Sequence, residues 1–243
     1  MTDDIDQLLV NLKMRALRDI VEQELERALK TKPSYPDFLG RLLRKMYDFR
    51  RAQSLEYRIR SAGLPERWTL ETFPFDKQTG VHAPTIKELA ELTFLQRREN
   101  IVLLGPTGVG KTGLGSAILL KALENGYRGM FIKAQDLFED IYASVADRTS
   151  RKLINRLARL DLLVIDEMGY LQLKPEQTNL FFKLMEERYS KRSTIITTNL
   201  DYEAWYDFLG RKEMVGALLS RLRHKCHTLR IDGPSLRTPA DTA

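Results

Sequence analysis

With 243 residues, of which 43% are hydrophobic and 30% charged, the chain can bury one sizeable core plus a small appendage and is too apolar to be a disordered polypeptide. A formal net charge of +6 and a sequence pI near 9.3 favour a polyanionic partner. The lone Cys226 excludes an internal disulfide and a cysteine metal cluster, and the acidic start from Met1 to Asp6 leads into no long apolar run, so a cytoplasmic protein without signal peptide or membrane span is expected.

Apolar residues recur at three and four from Ile5 to Leu29, which predicts one amphipathic helix ended by Lys32-Pro33. A second helix opens on the capping signal Ser34-Tyr-Pro-Asp37, runs through Phe38, Leu42, Met46, Phe49 and Ile59, and stops at Gly63-Leu-Pro65. Such a hairpin cannot bury its stripe alone, so it must pack on the rest of the chain or on a neighbouring subunit. We place a domain boundary near Pro65, giving a helical N-terminal domain over residues 1–66, a second domain over 67–237 and a flexible tail over 238–243. Arg41, Arg44, Lys45, Arg50, Arg51, Arg58 and Arg60 outnumber Asp48 and Glu56 on the second helix. That face reads either as a solvated surface or as a nucleic-acid contact.

A connector with Phe73 and Phe75, read as core anchors, precedes a helix from about Thr85 to Arg97. Asn100 to Leu104 is then a buried strand that enters Gly105-Pro106-Thr107-Gly108-Val109-Gly110-Lys111-Thr112-Gly113, the G-x-x-x-x-G-K-T of a P-loop. Its glycines let backbone N–H groups turn around a β-phosphate, and the following helix adds the positive end of its dipole. Lys111 is the point charge for the β/γ-oxygens, and the Thr112 hydroxyl is the expected Mg²⁺ ligand.

A short strand at residues 129–132 and a helix at 134–146 continue an alternation that implies a parallel sheet. Arg148, Arg151, Lys152, Arg156 and Arg159 then form a second basic segment against the single acid Asp147. Leu160-Asp-Leu-Leu-Val-Ile-Asp166-Glu167 is a buried strand ending in two carboxylates, as a Walker B element does. Asp166 is placed to hold Mg²⁺, and Glu167, one residue on, to polarise the attacking water. After a helix at 176–191, the strand Ser193-Thr-Ile-Ile-Thr-Thr-Asn199 ends in an amide suited to hold that water or the γ-phosphate. Helices near 202–209 and 212–223 and a strand at 226–231 follow. Arg221, in Ser220-Arg-Leu-Arg223, reads either as a surface residue or as a group that reaches a neighbour's γ-phosphate. His82, His224 and His227 show no metal spacing with Cys226.

The Walker A run, Leu-Val-Ile-Asp166-Glu167 followed by Met168-Gly-Tyr170, the Thr-Thr-Asn199 strand end, and the C-terminal Ser220-Arg-Leu and Gly233-Pro-Ser-Leu-Arg237 together resemble the IstB-like AAA+ ATPases. These are transposition helpers of bacterial insertion sequences, related to DnaC-type helicase loaders. The resemblance covers residues 64–237 by motif and the N-terminal hairpin by architecture. It implies an α/β AAA+ P-loop NTPase with a five-stranded parallel sheet and no C-terminal lid domain, binding ATP and Mg²⁺ between subunits of a homo-oligomer. Arg221 matches the arginine finger of an Asp-Arg-Leu motif, with Ser220 in place of Asp. Arg237 matches the Arg of Gly-x-Ser-Tyr-Arg, with Leu236 in place of Tyr.

Members of this branch assemble with ATP on duplex DNA and present it to a transposase. Such a role places phosphate contacts on Arg44, Lys45 and Arg51 and on Arg151, Lys152 and Arg156. The rival within the clade is a replicative helicase loader. A P-loop small-molecule kinase is the rival from another class, without a lid rich in catalytic arginines to support it.

Overall fold

We describe residues 3–237 of a computed structural model, apart from residues 79, 82, 170 and 211 and the side chain of Ala83. Tyr170, His82 and the tail expected over 238–243 therefore lie outside the described residues. The chain falls into two compact units, Met1–Tyr57 and Arg58–Ala243.

In the first unit the expected single helix is broken into α1 (Asp3–Asn11), a 3-10 turn (Arg15–Leu17) and α2 (Arg18–Thr31). Lys13 takes φ +56, while its N–H returns to Val10 O and that of Met14 to Leu9 O. This pair of bonds closes α1 with a left-handed residue at its end. Periodicity alone runs through this break because the turn keeps Leu9, Leu17 and Val21 all buried. Helix α3 (Tyr35–Ser61) starts where Ser34 Oγ accepts the Asp37 N–H at 3.3 Å. Glu24 is fully covered, with Lys45 Nζ 2.7 Å, Arg41 Nε 3.5 Å and Arg27 4.0 Å away. The hydrogen bond from Lys45 holds this carboxyl below its ordinary range.

The second unit is a five-stranded sheet in the order β2-β3-β4-β1-β5, with every pairing parallel. Its strands are β1 (Asn100–Leu104), β2 (Gly129–Lys133), β3 (Leu162–Met168), β4 (Ser193–Thr198) and β5 (Cys226–Arg230). The helix expected over 85–97 is two pieces, α4 (Ala83–Ala90) and α5 (Thr93–Arg97), joined at Leu92 with φ +59. That turn buries Leu89, Leu92, Phe94 and Leu95 together, which a straight helix cannot do. Helices α6 (Lys111–Glu124), α7 (Ala134–Ala146), α8 (Ser150–Ala158), α9 (Pro175–Arg188), α10 (Ala204–Leu209) and α11 (Lys212–His224) complete the unit.

Alternation along the strands assigns the helices to faces. Val102, Leu163, Ile165 and Ile196 join the core cluster that α7 to α11 share. Leu103, Val164 and Thr197 point the other way, where each lies within 4 Å of where a Cβ on Gly115 of α6 would stand. Asp166, two residues beyond Val164, consequently falls on the α6 face. The pattern places the Walker B carboxylate over the first turn of the P-loop helix.

Arg188 staples the edge of this core. It is 1% exposed and donates to Leu157 O at 2.7 Å, Leu160 O at 2.9 Å, Thr194 Oγ1 at 3.0 Å and Ser193 O. Burial pushes its guanidinium down to about 9, so it stays protonated at neutral pH. Among the described residues, no helix is long and apolar enough to cross a membrane.

Candidate nucleotide site

The P-loop leaves the carboxyl end of β1, and α6 begins at Lys111. Gly108 and Gly110 hold φ near +90, which L side chains rarely adopt. A Cβ on Gly108 would stand 2.3 Å from Ser235 Oγ, and one on Gly110 would stand 2.9 Å from Leu236 and from Phe73. The C-terminal segment thus lies directly on the loop, and the Leu236 N–H donates to Gly108 O at 2.8 Å. This contact is what brings Arg237 beside the P-loop.

Lys111 Nζ donates to Gly105 O at 2.8 Å and Pro106 O at 2.6 Å. Partial burial lowers its proton affinity, the Asp166 carboxyl opposes that shift, and the positive charge of Arg237 adds to it. Thr112 Oγ1 reaches both Asp166 oxygens at 3.0 Å. Burial raises the Asp166 carboxyl above its ordinary value, against hydrogen bonds from Thr197 and Thr112. Glu167 has φ +60, and the β3–β4 register shifts between Ile165 and Met168. That irregularity leaves Asp166 buried and turns Glu167 to an exposed position.

These groups share one cavity of about 360 Å³, lined by Thr107, Gly108, Gly110, Lys111, Thr112, Gly113, Asp166, Glu167, Asn199 and Arg237. Of the expected site residues, Gly105, Pro106 and Val109 belong to the loop without lining the cavity; Gly105 O and Pro106 O hold Lys111 instead.

Pro65, Glu66, Trp68, Ser116, Lys133 and Thr197 also line it, none of which the sequence motifs assign a role at the site. Trp68 sits 3.1 Å from where a Cβ on Gly113 would be. Its indole N–H donates to Glu66 Oε2. Phe73 is buried against Trp68 and Phe75, as a core anchor. Ser116 Oγ is buried without a hydrogen-bond partner, and Lys133 stands opposite Asp166 in the β2–β3 register. Trp68 escapes a reading by motif because its place at the cavity depends on how the connector crosses α6.

Arg221 is not in this cavity. It lies on α11, 3.9 Å from Glu186, at an apolar groove of about 150 Å³ lined also by Met185, Tyr189, Met214 and Leu218. Of the basic residues, Arg151 and Lys152 are exposed on α8, opposite the buried Ile154 and Leu157. Arg156 is 3.9 Å from Asp140. In the first unit Arg44 and Arg51 are exposed, whereas Lys45 is engaged by Glu24.

Solved structures with this fold include proteins of DNA replication. A crystal structure of DnaI superposes with a TM-score of 0.58 at 20% identity, covering 68% of this chain and 91% of that one. AMPPCP-bound DnaA from Aquifex aeolicus gives 0.56 at 22% identity, covering 70% and 51%. Both likenesses are of fold, the AAA+ P-loop fold. In sequence, the putative ATP-binding protein of insertion sequence IS21 from Pseudomonas aeruginosa is 37% identical over 96% of this chain and 88% of its own length. That of insertion sequence IS232 from Bacillus thuringiensis subsp. berliner is 31% identical over 98% and 93%. Residues 7–242 match the family described as IstB-like ATP binding protein, and the chain belongs to that family.

Proposed function

We propose that this protein is an ATP-hydrolysing helper of insertion-sequence transposition, which assembles on duplex DNA with ATP bound between its subunits and delivers that DNA to a transposase. The observation that carries the ATPase reading is the joining of Walker A and Walker B through Thr112 and Asp166, with Glu167 and Asn199 opening on the same cavity. Three oxygens converge there, the Thr112 hydroxyl and the Asp166 carboxylate pair, a donor set that suits a hard divalent cation such as Mg²⁺. Magnesium, when bound, supplies neutralisation and orientation of the β- and γ-phosphate oxygens.

The remaining work falls to the chain. Backbone N–H groups from Gly108 to Thr112 hold the phosphates, and Lys111 leaves the loop carbonyls to neutralise the β/γ-oxygens. Glu167 takes a proton from water directed in line at the γ-phosphorus, and Asn199 orients that water. As the water oxygen bonds to phosphorus, the bond to the β–γ bridging oxygen breaks, leaving ADP and phosphate. Arg237 adds positive charge on the same side. Arg221, standing outside the cavity of its own chain, is assigned to the γ-phosphate of a neighbouring subunit. Duplex DNA is assigned to the basic residues Arg151, Lys152 and Arg156 of α8 and Arg44, Lys45 and Arg51 of α3.

The names of the relatives, which belong to insertion sequences, support a transposition role over helicase loading. The likenesses to DnaI and DnaA are of fold. Electron microscopy of the protein with ATP and duplex DNA, paired with a transposase strand-transfer assay, tests the proposal. Nucleotide-dependent assemblies on DNA that stimulate insertion are expected; a protein that stays monomeric with ATP and DNA and leaves the transposase unaffected overturns it.

A further inference from the structure

Thr197 is the penultimate residue of the fully buried strand β4, directly after Ile195 and Ile196, and is itself 1% exposed. A valine there would have the same shape without a hydroxyl to desolvate, so the hydroxyl needs a reason. Its bonds supply one. Thr197 Oγ1 donates to Asp166 Oδ1 at 2.5 Å and accepts the Glu167 N–H at 2.9 Å. Glu167 is the residue at which β3 leaves its regular register with β4, with φ +60. The hydroxyl occupies the place of the ladder partner that the irregularity removes from that N–H.

We propose that Thr197 is a positioning residue for ATP hydrolysis: its hydroxyl holds the bulge that separates the two Walker B carboxylates, keeping Asp166 against Thr112 while Glu167 faces the cavity. The inference rests on the ATPase reading of this site. Asn199 is two residues further along, so one strand end fixes the carboxylate that meets the cation, the carboxylate that meets the water and the amide beside them. Thr112 clamps Asp166 from α6 and Thr197 clamps it from β4. Asp166 Oδ1 therefore accepts from two hydroxyls on different elements, and losing one leaves the carboxylate free to rotate about the other.

Thr197→Val keeps the shape and removes the hydroxyl, whereas Thr197→Ser keeps the hydroxyl and removes the methyl. Three readouts apply: kcat and KM for ATP, the affinity of a fluorescent ATP analogue with EDTA and with Mg²⁺, and the exchange rate of the Glu167 amide by NMR. In Thr197→Val we expect kcat to fall about 10- to 100-fold, the range found when groups orienting a metal ligand are removed. Analogue affinity in EDTA should stay within about twofold of wild type, while the gain in affinity on adding Mg²⁺ shrinks by a similar factor of about 10 to 100. Thr197→Ser should restore both, and the Glu167 amide should be protected in the wild type and the serine variant only.

A valine variant with wild-type kcat and wild-type Mg²⁺ response overturns the proposal, as does a serine variant as impaired as valine. Should Thr197→Val not fold, the wild-type amide decides: rapid exchange at Glu167 overturns the bond on which the proposal stands, and slow exchange that the serine variant shares supports it. A wild-type protein that binds ATP with Mg²⁺ and never hydrolyses it defeats the ATPase reading, while the Mg²⁺ response of the valine variant still reports on Asp166.

Discussion

The Thr112 hydroxyl lies 3.0 Å from each carboxylate oxygen of Asp166, although 54 residues separate them in the chain. Thr112 is the second residue of α6 and Asp166 closes the regular part of β3, so this contact ties the P-loop to the end of the Walker B strand. Both carboxylates then have separable tasks, because Asp166 is buried against Thr112 and Glu167 is exposed in the cavity.

That separation makes the Walker residues distinguishable by mutation. Lys111→Ala should abolish nucleotide binding, since the β/γ-phosphates lose their fixed counter-charge. Glu167→Gln should bind ATP normally and hydrolyse it about 10²- to 10⁴-fold more slowly, the usual contribution of a positioned general base. Equilibrium binding and steady-state ATPase assays on the two variants check this; an unaltered rate in Glu167→Gln removes the water-polarising role from Glu167.

Trp68 lines the cavity while the second tryptophan, Trp205, is completely buried in the core. Added ATP or ADP should therefore change the intrinsic emission of Trp68 alone. Its assignment rests on placement rather than on any motif, and Trp68→Phe should silence the signal without unfolding the protein. A response that survives in Trp68→Phe would locate the nucleotide elsewhere.

Arg221 stands outside the cavity of its own chain. If it serves a neighbour, Arg221→Ala should bind nucleotide as an isolated subunit yet lose ATPase activity and ATP-dependent assembly. Mixing it with Lys111→Ala, which retains Arg221, should recover part of the activity. Titration of one inactive variant into the other, with ATPase as the signal, tests this directly: zero recovery at every ratio argues for a site completed within one chain.

Neutralising Arg151, Lys152 and Arg156 together should weaken duplex binding about equally across sequences and flatten the salt dependence by roughly 0.9 in slope for each phosphate no longer neutralised. The triple change at Arg44, Lys45 and Arg51 should do less, because Lys45 is paired with the buried Glu24, and removing it should also lower the stability of the first unit. Affinity measured against salt for each triple variant separates the two surfaces. Unchanged affinity and slope in both would sink the assignment of DNA to these faces.

Arg188→Met should destabilise the protein, since four acceptors around the guanidinium lose their donor in a dry environment. Each buried acceptor left unpaired costs about 1–3 kcal/mol, and each kcal/mol lowers the melting temperature of a unit of this size by about 2–4 °C. Thermal denaturation is the check, and a shift under about 2 °C would show that solvent replaces the missing bonds.

Local chemistry made much of this protein legible without a structure. A P-loop between an apolar strand and a helix, or two acids at the end of Leu162 to Ile165, announces itself because phosphate binding demands particular residues at particular spacings, and the structure brings Lys111, Thr112, Asp166, Glu167 and Asn199 into one cavity. The breaks at Lys13 and Leu92 were not legible, because a left-handed residue can preserve the apolar periodicity on both sides of a turn. Strand order was not legible either. Only the tertiary structure sets β4 between β1 and β3, which brings Thr197 within bonding distance of Asp166 and Asn199 beside the phosphate loop. Trp68, Ser116 and Lys133 are ordinary residues in sequence, and Thr197 stands in a motif that names only its neighbour Asn199; they acquire a place at the site because non-local packing, rather than any spacing along the chain, decides which side chains share a cavity.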